Sequence, residues 1–493
     1  MGSAQSPPGV RSISIVGLHG VQSLAVDFSG TLNVVFGGNG TGKTTLLHVL
    51  ANLLDRDIER FCYIKFHRIV LQTTAGDRIT LESAESSERP AITVFINEKR
   101  AGTVGPESDD SAIREELRAF LSGRPMYFPA FRSVLEATRR ARPSRWWLEE
   151  GFEERYWTSP DSLERELQGL IEHEVASLST GTRGAQAPAL SARTRAIAQA
   201  TAYKTFRCRE WFGRFVPTVR YPSLREVEDE LRQELERASL EVARKDQVAL
   251  SEVFTRVFET LLQEDRQPVV GDTKVLLERV IKGLTSLDPD RIGLGVDFRR
   301  LAGGFVGSPQ QNLHLERELA PAILKIYDEV LSERRSAEEG AFQRLRTFQN
   351  SINRFLENKE LEFILGGRAG RHEVGAVVHL TGGGRTRLGA LSSGERHVLT
   401  LLFAATHMSS SDGVILIDEP ELSLHVDWQR VILDELTKQA GDRQVIACTH
   451  APEVLADHRD QAIRLEPQGW NAQPGLFTSA DVGQGLAESS DEQ

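Results

Sequence analysis

The chain has 493 residues, of which 40% are hydrophobic and 26% charged, with a formal net charge of −11 at pH 7. This length predicts more than one domain, and the acidic balance excludes a uniformly basic nucleic-acid-binding protein while leaving room for local basic patches. The sequence has no run of about eighteen apolar residues that would span a membrane, and its three widely spaced cysteines predict neither a disulfide framework nor a zinc site, so we expect a cytoplasmic protein.

A phosphate-binding loop is predicted near the N-terminus. The apolar run Val34–Phe36 is followed by the pattern G-x-x-x-x-G-K-T from Gly37 to Thr44 and then by an apolar helix. Glycines let successive backbone N–H groups point at one anion, and the start of the following helix adds its positive dipole end. In such a loop Lys43 reaches the β- and γ-phosphates of a nucleotide, and the Thr44 hydroxyl binds Mg²⁺.

The long middle of the chain is predicted to be mostly helical. Alternating strands extend the first lobe to about residue 135, and amphipathic helices follow to about residue 355. One such helix places Leu224, Val227, Leu231 and Leu235 on a single face. Residues 319–334 and 341–363 are read as two further helices, and no heptad repeat is long enough for an extended coiled-coil arm. We therefore expect a compact helical lobe.

Two arginine-rich stretches lie in this middle part. The first carries Arg139, Arg140 and Arg142 and ends in two tryptophans. The second contains Arg193, Arg195, Lys204, Arg207, Arg209 and Arg214. Both patterns fit a solvated arginine face with aromatic residues in the core, and both also fit contact with DNA or RNA or with an acidic partner protein.

A capped helix start is predicted at Ser392. Glu395 follows three residues later, which is the spacing of a capping box, and an apolar helical pattern continues from there. This pattern requires only a helix start, although a helix N-terminus is also a site where anions bind.

Two further apolar strands end in polar residues. Val414–Ile417 is followed by Asp418 and Glu419, and Val445–Cys448 is followed by Thr449 and His450. Ligands of open α/β sheets bind at the carboxyl ends of the strands. An aspartate there can hold Mg²⁺, a neighbouring glutamate can polarise the attacking water, and a histidine can contact a γ-phosphate.

The order of these motifs resembles that of an ATP-binding-cassette (ABC) ATPase. The phrase L-S-x-G-E from Leu391 to Glu395, then D-E-P and E-L-S-L-H, is similar to the SMC-like branch that includes the OLD (overcoming lysogenisation defect) and AAA_21-like families. The resemblance covers about residues 10–60 and 356–460. It implies an α/β fold in which an ABC-type P-loop ATPase head is split by a large helical insertion.

The resemblance also implies roles for individual residues. Asp418 coordinates Mg²⁺, Glu419 is the catalytic carboxylate and His450 is the switch histidine. Ser392 and Gly394 contact the γ-phosphate of ATP bound by the other subunit of a homodimeric unit. The residues implied to bind ATP phosphates are Gly37, Gly38, Asn39, Gly40, Thr41, Gly42, Lys43, Thr44 and Thr45.

One departure from the family concerns the loop between the two halves of the head, which usually carries a glutamine. The best positional match, Met126–Arg132, has none. Arg132 is a candidate for the missing phosphate contact, and Gln72 is a second candidate.

The predicted domains are residues 1–135 for the first ATPase lobe, 136–355 for the insertion, 356–470 for the second lobe, and 471–493 for an acidic, disordered tail. Only 43 residues follow His450, which leaves no room for the TOPRIM nuclease domain of OLD proteins. The chain thus resembles the ATPase subunits of anti-phage systems such as PARIS and Septu, which work with a separately encoded effector such as a nuclease. A DNA-repair or DNA-organising ATPase of the RecF or SMC type is the alternative, and a transporter motor is the third.

Overall fold

The computed structural model describes residues 9–84, 91–106, 108, 110–121, 124–131, 167–175, 192–262, 275, 279–280, 313–365, 374–407, 413–466 and 468–469. Arg139, Arg140, Arg142 and Arg132 lie outside these ranges, as does the predicted tail. The chain divides into two compact units, one formed by Met1–Pro222 with Thr400–Gln493 and the other by Ser223–Leu399.

The first unit contains a five-stranded, fully parallel sheet. Its strand order is β14-β3-β13-β12-β8. The strands are β3 (Leu32–Phe36), β8 (Met126–Phe128), β12 (Ile415–Asp418), β13 (Val445–Thr449) and β14 (Ala462–Arg464). Strands β12 and β13 are buried along their whole length, as expected of apolar runs in a parallel sheet that is covered on both faces.

A seven-stranded antiparallel sheet forms the second layer of this unit, in the order β15-β2-β1-β4-β5-β6-β7. The strands are β1 (Val10–Leu18), β2 (Gln22–Asp27), β4 (Arg68–Thr73), β5 (Arg78–Ser83), β6 (Ile92–Ile96), β7 (Lys99–Val104) and β15 (Gln468–Gly469). Strands such as β6 alternate buried and half-buried residues, so one face of the sheet lies on the core.

The helices of the first unit are α1 (Lys43–Leu54), α2 (Ser111–Leu117), α3 (Ala192–Phe212), α7 (Val426–Ala440) and the short α8 (Pro452–Leu455). Residues 167–175 are also helical, and 3₁₀ turns cover Ile58–Tyr63 and Arg459–Gln461. One hydrophobic cluster includes Ile15 of the antiparallel sheet, Leu46 and Leu50 of α1, and Leu416 and Ile446 of the parallel sheet. Helix α1 is thus held by a core that both sheets share.

The second unit is built on two long helices, α4 (Leu224–Leu262) and α5 (Leu313–Asn353), followed by a three-stranded antiparallel sheet. At 1.5 Å per residue the helices are about 60 Å long. Arg334 pairs with Asp246 at 2.6 Å and Arg256 with Glu329 at 3.4 Å, so the helices run antiparallel. The strands are β9 (Lys359–Ile364), β10 (Gly375–Leu380) and β11 (Arg385–Thr386). A 3₁₀ turn at Leu388–Ala390 precedes helix α6 (Ser393–His407), whose residues from Thr400 onward belong to the first unit.

This unit corrects two expectations about the middle of the chain. The segments 319–334 and 341–363 do not form two helices, because α5 runs through both and ends at Asn353. Residues 359–364 instead form β9, with Leu361 buried against Val378 of β10. The predicted helix face of Leu224, Val227, Leu231 and Leu235 is buried, and the helix that carries it, α4, forms a long antiparallel pair with α5.

The unit boundaries also differ from the predicted domain boundaries at 135/136 and 355/356. The first unit contains the predicted phosphate loop and is called the phosphate-loop unit below. Helix α3 belongs to it, and the buried Arg209 of α3 pairs with Asp57, which lies just after α1. Residues 356–399 belong to the unit of the long helices. Among the helices that the structure describes, none is long and apolar enough to cross a membrane.

Candidate functional site

The predicted phosphate loop lies between β3 and α1. Gly38, Asn39 and Gly40 are exposed at its tip, and Thr45 is half-buried in the first turn of α1. The Thr41 hydroxyl donates to the Gly38 carbonyl at 2.9 Å, which closes the loop on itself. The loop is therefore a short, internally bonded turn that presents its backbone to solvent.

Two glycines of this loop are required by its geometry. Gly42 is the N-cap of α1 and has φ +91°, in the left-handed region that favours glycine. A Cβ on Gly37 would lie 3.0 Å from the carbonyl oxygen of Leu465, so a larger residue would push the loop away from β14. These two positions explain why the turn from β3 into α1 is encoded by glycine.

Lys43 is the first residue of α1, and its side chain turns back over the loop. Its Nζ donates to the carbonyl oxygens of Gly37 at 2.7 Å and Gly38 at 2.8 Å, and the residue is buried. The ammonium group thus lies at the loop together with the N-terminal end of α1, where both contribute positive charge. This arrangement can bind an anion such as a nucleotide phosphate.

The loop meets the acidic pair through Thr44. The Thr44 hydroxyl donates to Oδ2 of Asp418 at 2.8 Å, although the residues are 374 positions apart in the chain. Asp418 is the last residue of β12 and is 1% exposed. The two residues predicted to bind Mg²⁺ are therefore in direct contact.

The donor set at this contact fits Mg²⁺. A hydroxyl and a carboxylate are oxygen ligands, which Mg²⁺ prefers, and it commonly uses one or two protein ligands with phosphate and water. In the described part of the chain no three His, Cys, Asp or Glu side chains are grouped as a metal site would need. A metal held by Thr44 and Asp418 would therefore complete its coordination with nucleotide oxygens and water.

Glu419 adopts a strained backbone conformation. Its φ is +50°, which a residue with a side chain rarely adopts and which costs of the order of 1–3 kcal/mol. Its N–H donates to the carbonyl of Cys448 at 2.8 Å, so the turn after β12 is tied to β13. This conformation directs the chain sharply out of the sheet immediately after Asp418, and such strain is common where side chains are aimed at a ligand.

His450 lies beside two carboxylates. Its Nδ1 is 3.2 Å from Oε1 of Glu419 and 3.4 Å from Oε1 of Glu421. Half of the His450 side chain is exposed, whereas Glu421 is buried. The predicted catalytic carboxylate and switch histidine are thus in contact, and Glu421, which the sequence did not single out, is a third member of the group.

The strand order explains how these residues meet. Strands β3, β13 and β12 are neighbours in one parallel sheet. The phosphate loop, His450 and the Asp418–Glu419 pair therefore all lie at the carboxyl-end edge of that sheet. Polar side chains at the carboxyl ends of parallel strands form the usual ligand site of such sheets.

Helix α1 is also fixed along its length. His48 is half-buried, its Nε2 hydrogen-bonds the Tyr127 hydroxyl of β8 at 2.8 Å, and loss of water around the ring lowers the pKa of His48 to about 3. The ring is therefore neutral at physiological pH and acts as a packing and hydrogen-bonding group.

Beyond the end of α1, buried ion pairs connect it to the chain before the unit boundary. Arg220 donates to both oxygens of Asp55 at 2.8 and 2.9 Å and to Glu174 at 2.9 Å. Arg209 donates to Asp57 at 3.2 Å and to the carbonyl of Val216 at 2.9 Å. Nothing in the sequence predicts these pairs beyond the presence of the charged residues.

Several residues of the second arginine-rich stretch have internal partners. Lys204 donates to the Tyr221 carbonyl, Arg207 pairs with Glu210 and lies over the Trp211 ring, and Arg209 is fully buried. For these residues the structure favours the interpretation as a structural network of the first unit over contact with nucleic acid.

Ser392 and Gly394, the two residues of the L-S-x-G-E phrase that are predicted to contact ATP, lie in the second unit. The N–H of Ser392 donates to Oε2 of Glu395 at 2.7 Å and the N–H of Glu395 to the Ser392 hydroxyl at 3.3 Å, which are the reciprocal bonds of the capping box. Burial by itself raises the pKa of Glu395, but hydrogen bonds from Lys359 and Ser392 lower it below its ordinary value. Ser392 is exposed and Gly394 is buried at the start of α6.

Of the two candidates for the missing glutamine, Gln72 lies in the described part of the chain, whereas Arg132 directly follows its last described neighbour, Phe131. Strand β8 pairs in parallel with β12, so the residues after it, up to Phe131, emerge at the same edge as Asp418. Gln72 instead lies within β4, opposite Ser12 in the antiparallel sheet. Position therefore favours the segment after β8 over Gln72.

Comparison with known proteins supports the resemblance to ATPases. Residues 294–456 match the family described as "AAA domain, putative AbiEii toxin, Type IV TA system". The match includes the L-S-x-G-E phrase at Leu391–Glu395, the Asp418–Glu419 pair and His450. It covers less than half of the chain and leaves out the phosphate loop.

Two curated relatives carry names from retrons. "Retron Ec83 probable ATPase" of Escherichia coli is 32% identical over 94 residues, which is 19% of this chain and 17% of that protein. "Retron Vc95 probable ATPase" of Vibrio cholerae serotype O1 biovar El Tor is 29% identical over 90 residues, 18% of each chain. The matches therefore cover less than a fifth of these relatives, and they give no support to PARIS or Septu in particular.

Solved structures with likeness to the chain include Smc head domains. The head from Pyrococcus furiosus with an extended coiled coil, bound to the C-terminal domain of ScpA, has a TM-score of 0.36 and 12% identity over 94% of this chain and 96% of that one. A head bound to the winged-helix domain of ScpA has a TM-score of 0.37 and 10% identity over 94% of this chain and 97% of that one. Scores this low carry no argument, so the fold rests on the sheets and helices described above.

Proposed function

We propose that this chain is an ABC-type ATPase that converts ATP and water to ADP and phosphate. The observation that supports it most is the Thr44–Asp418 contact at 2.8 Å, because it brings the phosphate loop and the acidic pair together at one sheet edge. Lys43 at the loop and His450 beside Glu419 complete the set of residues that such a reaction uses.

Each residue has a role in this reaction that follows from its position. The loop and Lys43 bind the β- and γ-phosphates, and Mg²⁺ held by Thr44 and Asp418 would neutralise phosphate charge. Glu419 accepts a hydrogen bond from the attacking water and polarises it, and His450 contacts the γ-phosphate or that water. These groups position the reactants and stabilise the transition state without forming covalent bonds, so their geometry determines the rate of hydrolysis.

The active form proposed here is a homodimeric unit. Ser392 is exposed at the N-terminus of α6, where backbone N–H groups and the helix dipole favour an anion. In this arrangement Ser392 and Gly394 of one subunit complete the ATP site of the other. Dimer closure would then depend on the γ-phosphate and end with hydrolysis.

The biological role we propose is control of a separately encoded effector, such as a nuclease or another toxin, in a bacterial defence system. The names of the two retron relatives and the toxin–antitoxin wording of the matching family support this role. The ATPase would act in the cytoplasm as a sensor or scaffold that holds and releases the effector.

A second candidate is a DNA-organising ATPase of the RecF or SMC type. The antiparallel pair of α4 and α5, each about 40 residues long, favours this alternative, because long paired helices suit proteins that act over a distance. DNA binding by the chain without any partner protein would support this candidate over the first.

The experiment that tests the ATPase measures phosphate release and ATP binding by the purified chain. We expect Glu419→Gln to keep ATP binding and to lower turnover by ~10²–10⁴-fold, since the amide retains shape but loses the pull of the carboxylate on water. Lys43→Ala should lose ATP binding itself. Glu82→Gln is the matched control, because Glu82 is a half-exposed residue of β5 in the antiparallel sheet and pairs only at the surface with Arg68.

Wild-type turnover that Glu419→Gln leaves unchanged would contradict the assignment of the catalytic carboxylate. The absence of ATP binding and hydrolysis by the folded wild-type chain would contradict the proposed function as a whole.

A further inference from the structure

Glu421 is a buried carboxylate next to the reaction site that the motifs of the sequence leave without a role. It follows Asp418 by three residues and is 6% exposed. The turn that contains it is closed by backbone bonds from Leu422 N–H to the Glu419 carbonyl and from Leu424 N–H to the Glu421 carbonyl. These bonds fold the turn back, so that the Glu421 side chain points to the end of β13.

One oxygen of this carboxylate collects the donors at the end of β13. Oε1 accepts the Thr449 hydroxyl at 2.6 Å and the His450 backbone N–H at 3.2 Å, and it lies 3.4 Å from His450 Nδ1. The Thr449 hydroxyl oxygen in turn accepts the N–H of Ala451 at 2.9 Å. The backbone of residues 449–451 and the ring of His450 are therefore tied to a single atom.

The second oxygen of the Glu421 carboxylate indicates that this arrangement costs free energy. Oε2 of Glu421 is buried and has no hydrogen-bond partner among the residues that the structure describes. A buried carboxylate oxygen without a donor is unfavourable, whereas an uncharged acceptor would satisfy the Thr449 hydroxyl and the His450 N–H at a smaller desolvation penalty. A carboxylate at this position is thus better explained by its action on His450 than by packing.

We infer that Glu421 is the positioning residue of His450, an inference that rests on the proposed ATPase function. Glu421 fixes the backbone at residue 450 and, with Glu419, holds Nδ1 of the ring on the carboxylate side. The other ring nitrogen, Nε2, is then left for the phosphate or the attacking water. Glu421 itself does not contact the substrate and acts through His450.

The test is a double-mutant cycle with Glu421→Ala, His450→Ala and the double variant, measured as kcat and KM for ATP hydrolysis. We expect Glu421→Ala to lower kcat by about tenfold to a hundredfold, the loss typical of a misplaced catalytic group. KM for ATP should stay within about twofold because Lys43 and the loop are unchanged. In the His450→Ala background the same substitution should change kcat by less than about twofold, since its target is gone.

Two variants separate positioning from stability. Glu421→Gln keeps an oxygen that can accept the Thr449 and His450 N–H hydrogen bonds but loses the charge beside His450 Nδ1, so its kcat should lie between those of wild type and Glu421→Ala. Thr449→Val removes one donor with little change in shape and tests the same contact if Glu421→Ala does not fold. Its kcat loss should also vanish in the His450→Ala background. Glu435→Gln is the matched control, because Glu435 is a buried carboxylate of α7 that pairs with Lys438, and its kcat should match wild type.

The outcomes distinguish this inference from the proposed function. If the wild type hydrolyses ATP but Glu421→Ala retains its kcat, or if the Glu421 and His450 losses multiply, Glu421 does not act through His450 and the inference fails alone. If the folded wild type does not hydrolyse ATP, the proposed function fails first.

Discussion

Replacing Arg220 by Met should destabilise the phosphate-loop unit while leaving its apolar packing nearly intact. Arg220 is 2% exposed and donates to Asp55, Glu174 and the Pro125 carbonyl. Met retains much of the aliphatic stem but none of the donors. The variant therefore leaves the Asp55 carboxylate in the interior without its main cation and removes one of the two arginines that pair with Glu174, the other being Arg124.

The magnitude follows from burial and from the pKa of Asp55. Burial alone raises that pKa, but Arg220 and then His173 lower it from 3.8 to about 2. At 1.36 kcal/mol for each pKa unit, this difference corresponds to about 2 kcal/mol of stability at neutral pH. Glu174 loses a donor as well, and breaking a buried ion pair by removing one partner typically costs about 3–5 kcal/mol. We expect a loss in that range at pH 7.

The pH dependence gives a second signature. A lowered folded-state pKa contributes stability that is complete above the unfolded value of 3.8 and is lost as pH falls toward about 2. Without Arg220, burial dominates and the pKa of Asp55 rises, so the folded variant takes up a proton on acidification. The difference in unfolding free energy between wild type and Arg220→Met should therefore shrink from pH 7 to pH 4.

The assay is urea unfolding followed by tryptophan fluorescence. The two tryptophans that the structure describes, Trp211 and Trp428, both belong to the phosphate-loop unit, so their signal reports on that unit. Arg118→Met is the matched control, because Arg118 pairs with Glu115 on the surface of α2, and its effect should stay within about 0.5 kcal/mol. A loss below about 1 kcal/mol for Arg220→Met, or one equal at pH 7 and pH 4, would refute the reasoning.

Two further predictions concern assembly. Ser392→Arg should leave ATP binding by one subunit unchanged but block ATP-dependent dimer closure in the Glu419→Gln background, because a bulky side chain would occupy the place of the opposing γ-phosphate. Light scattering with ATP measures dimer formation. An unchanged dimer would contradict the shared ATP site. The chain expressed with the protein of its neighbouring gene should form a complex whose stability differs between ATP-bound and hydrolysed states. ATP can shift this equilibrium only if the partner binds the two states with different affinities. Pull-downs with wild type and Glu419→Gln, each with and without ATP, test this, and equal recovery of the partner under all four conditions would argue against ATP control.

The grouping of residues at the candidate site was predictable from sequence because its parts are encoded locally. A phosphate loop needs glycines at fixed positions before a helix, and Gly42, with φ +91°, shows the reason in the backbone. Apolar strands that end in Asp418–Glu419 and in His450 place these residues at a sheet edge wherever parallel strands are neighbours. The capping box of Ser392 and Glu395 likewise depends on residues only three positions apart.

The tertiary structure alone decided which distant charges meet and which segments share a core. Arg220 and Asp55 are 165 positions apart, and nothing local distinguishes a buried arginine from a solvated one. The strand at 359–364 replaced a predicted helix because pairing with β10 outweighs the propensity of a short amphipathic segment. Glu421 stands in the same motif as Glu419, yet its role depends on the distance to His450, which is set by the adjacency of β12 and β13 in the folded sheet.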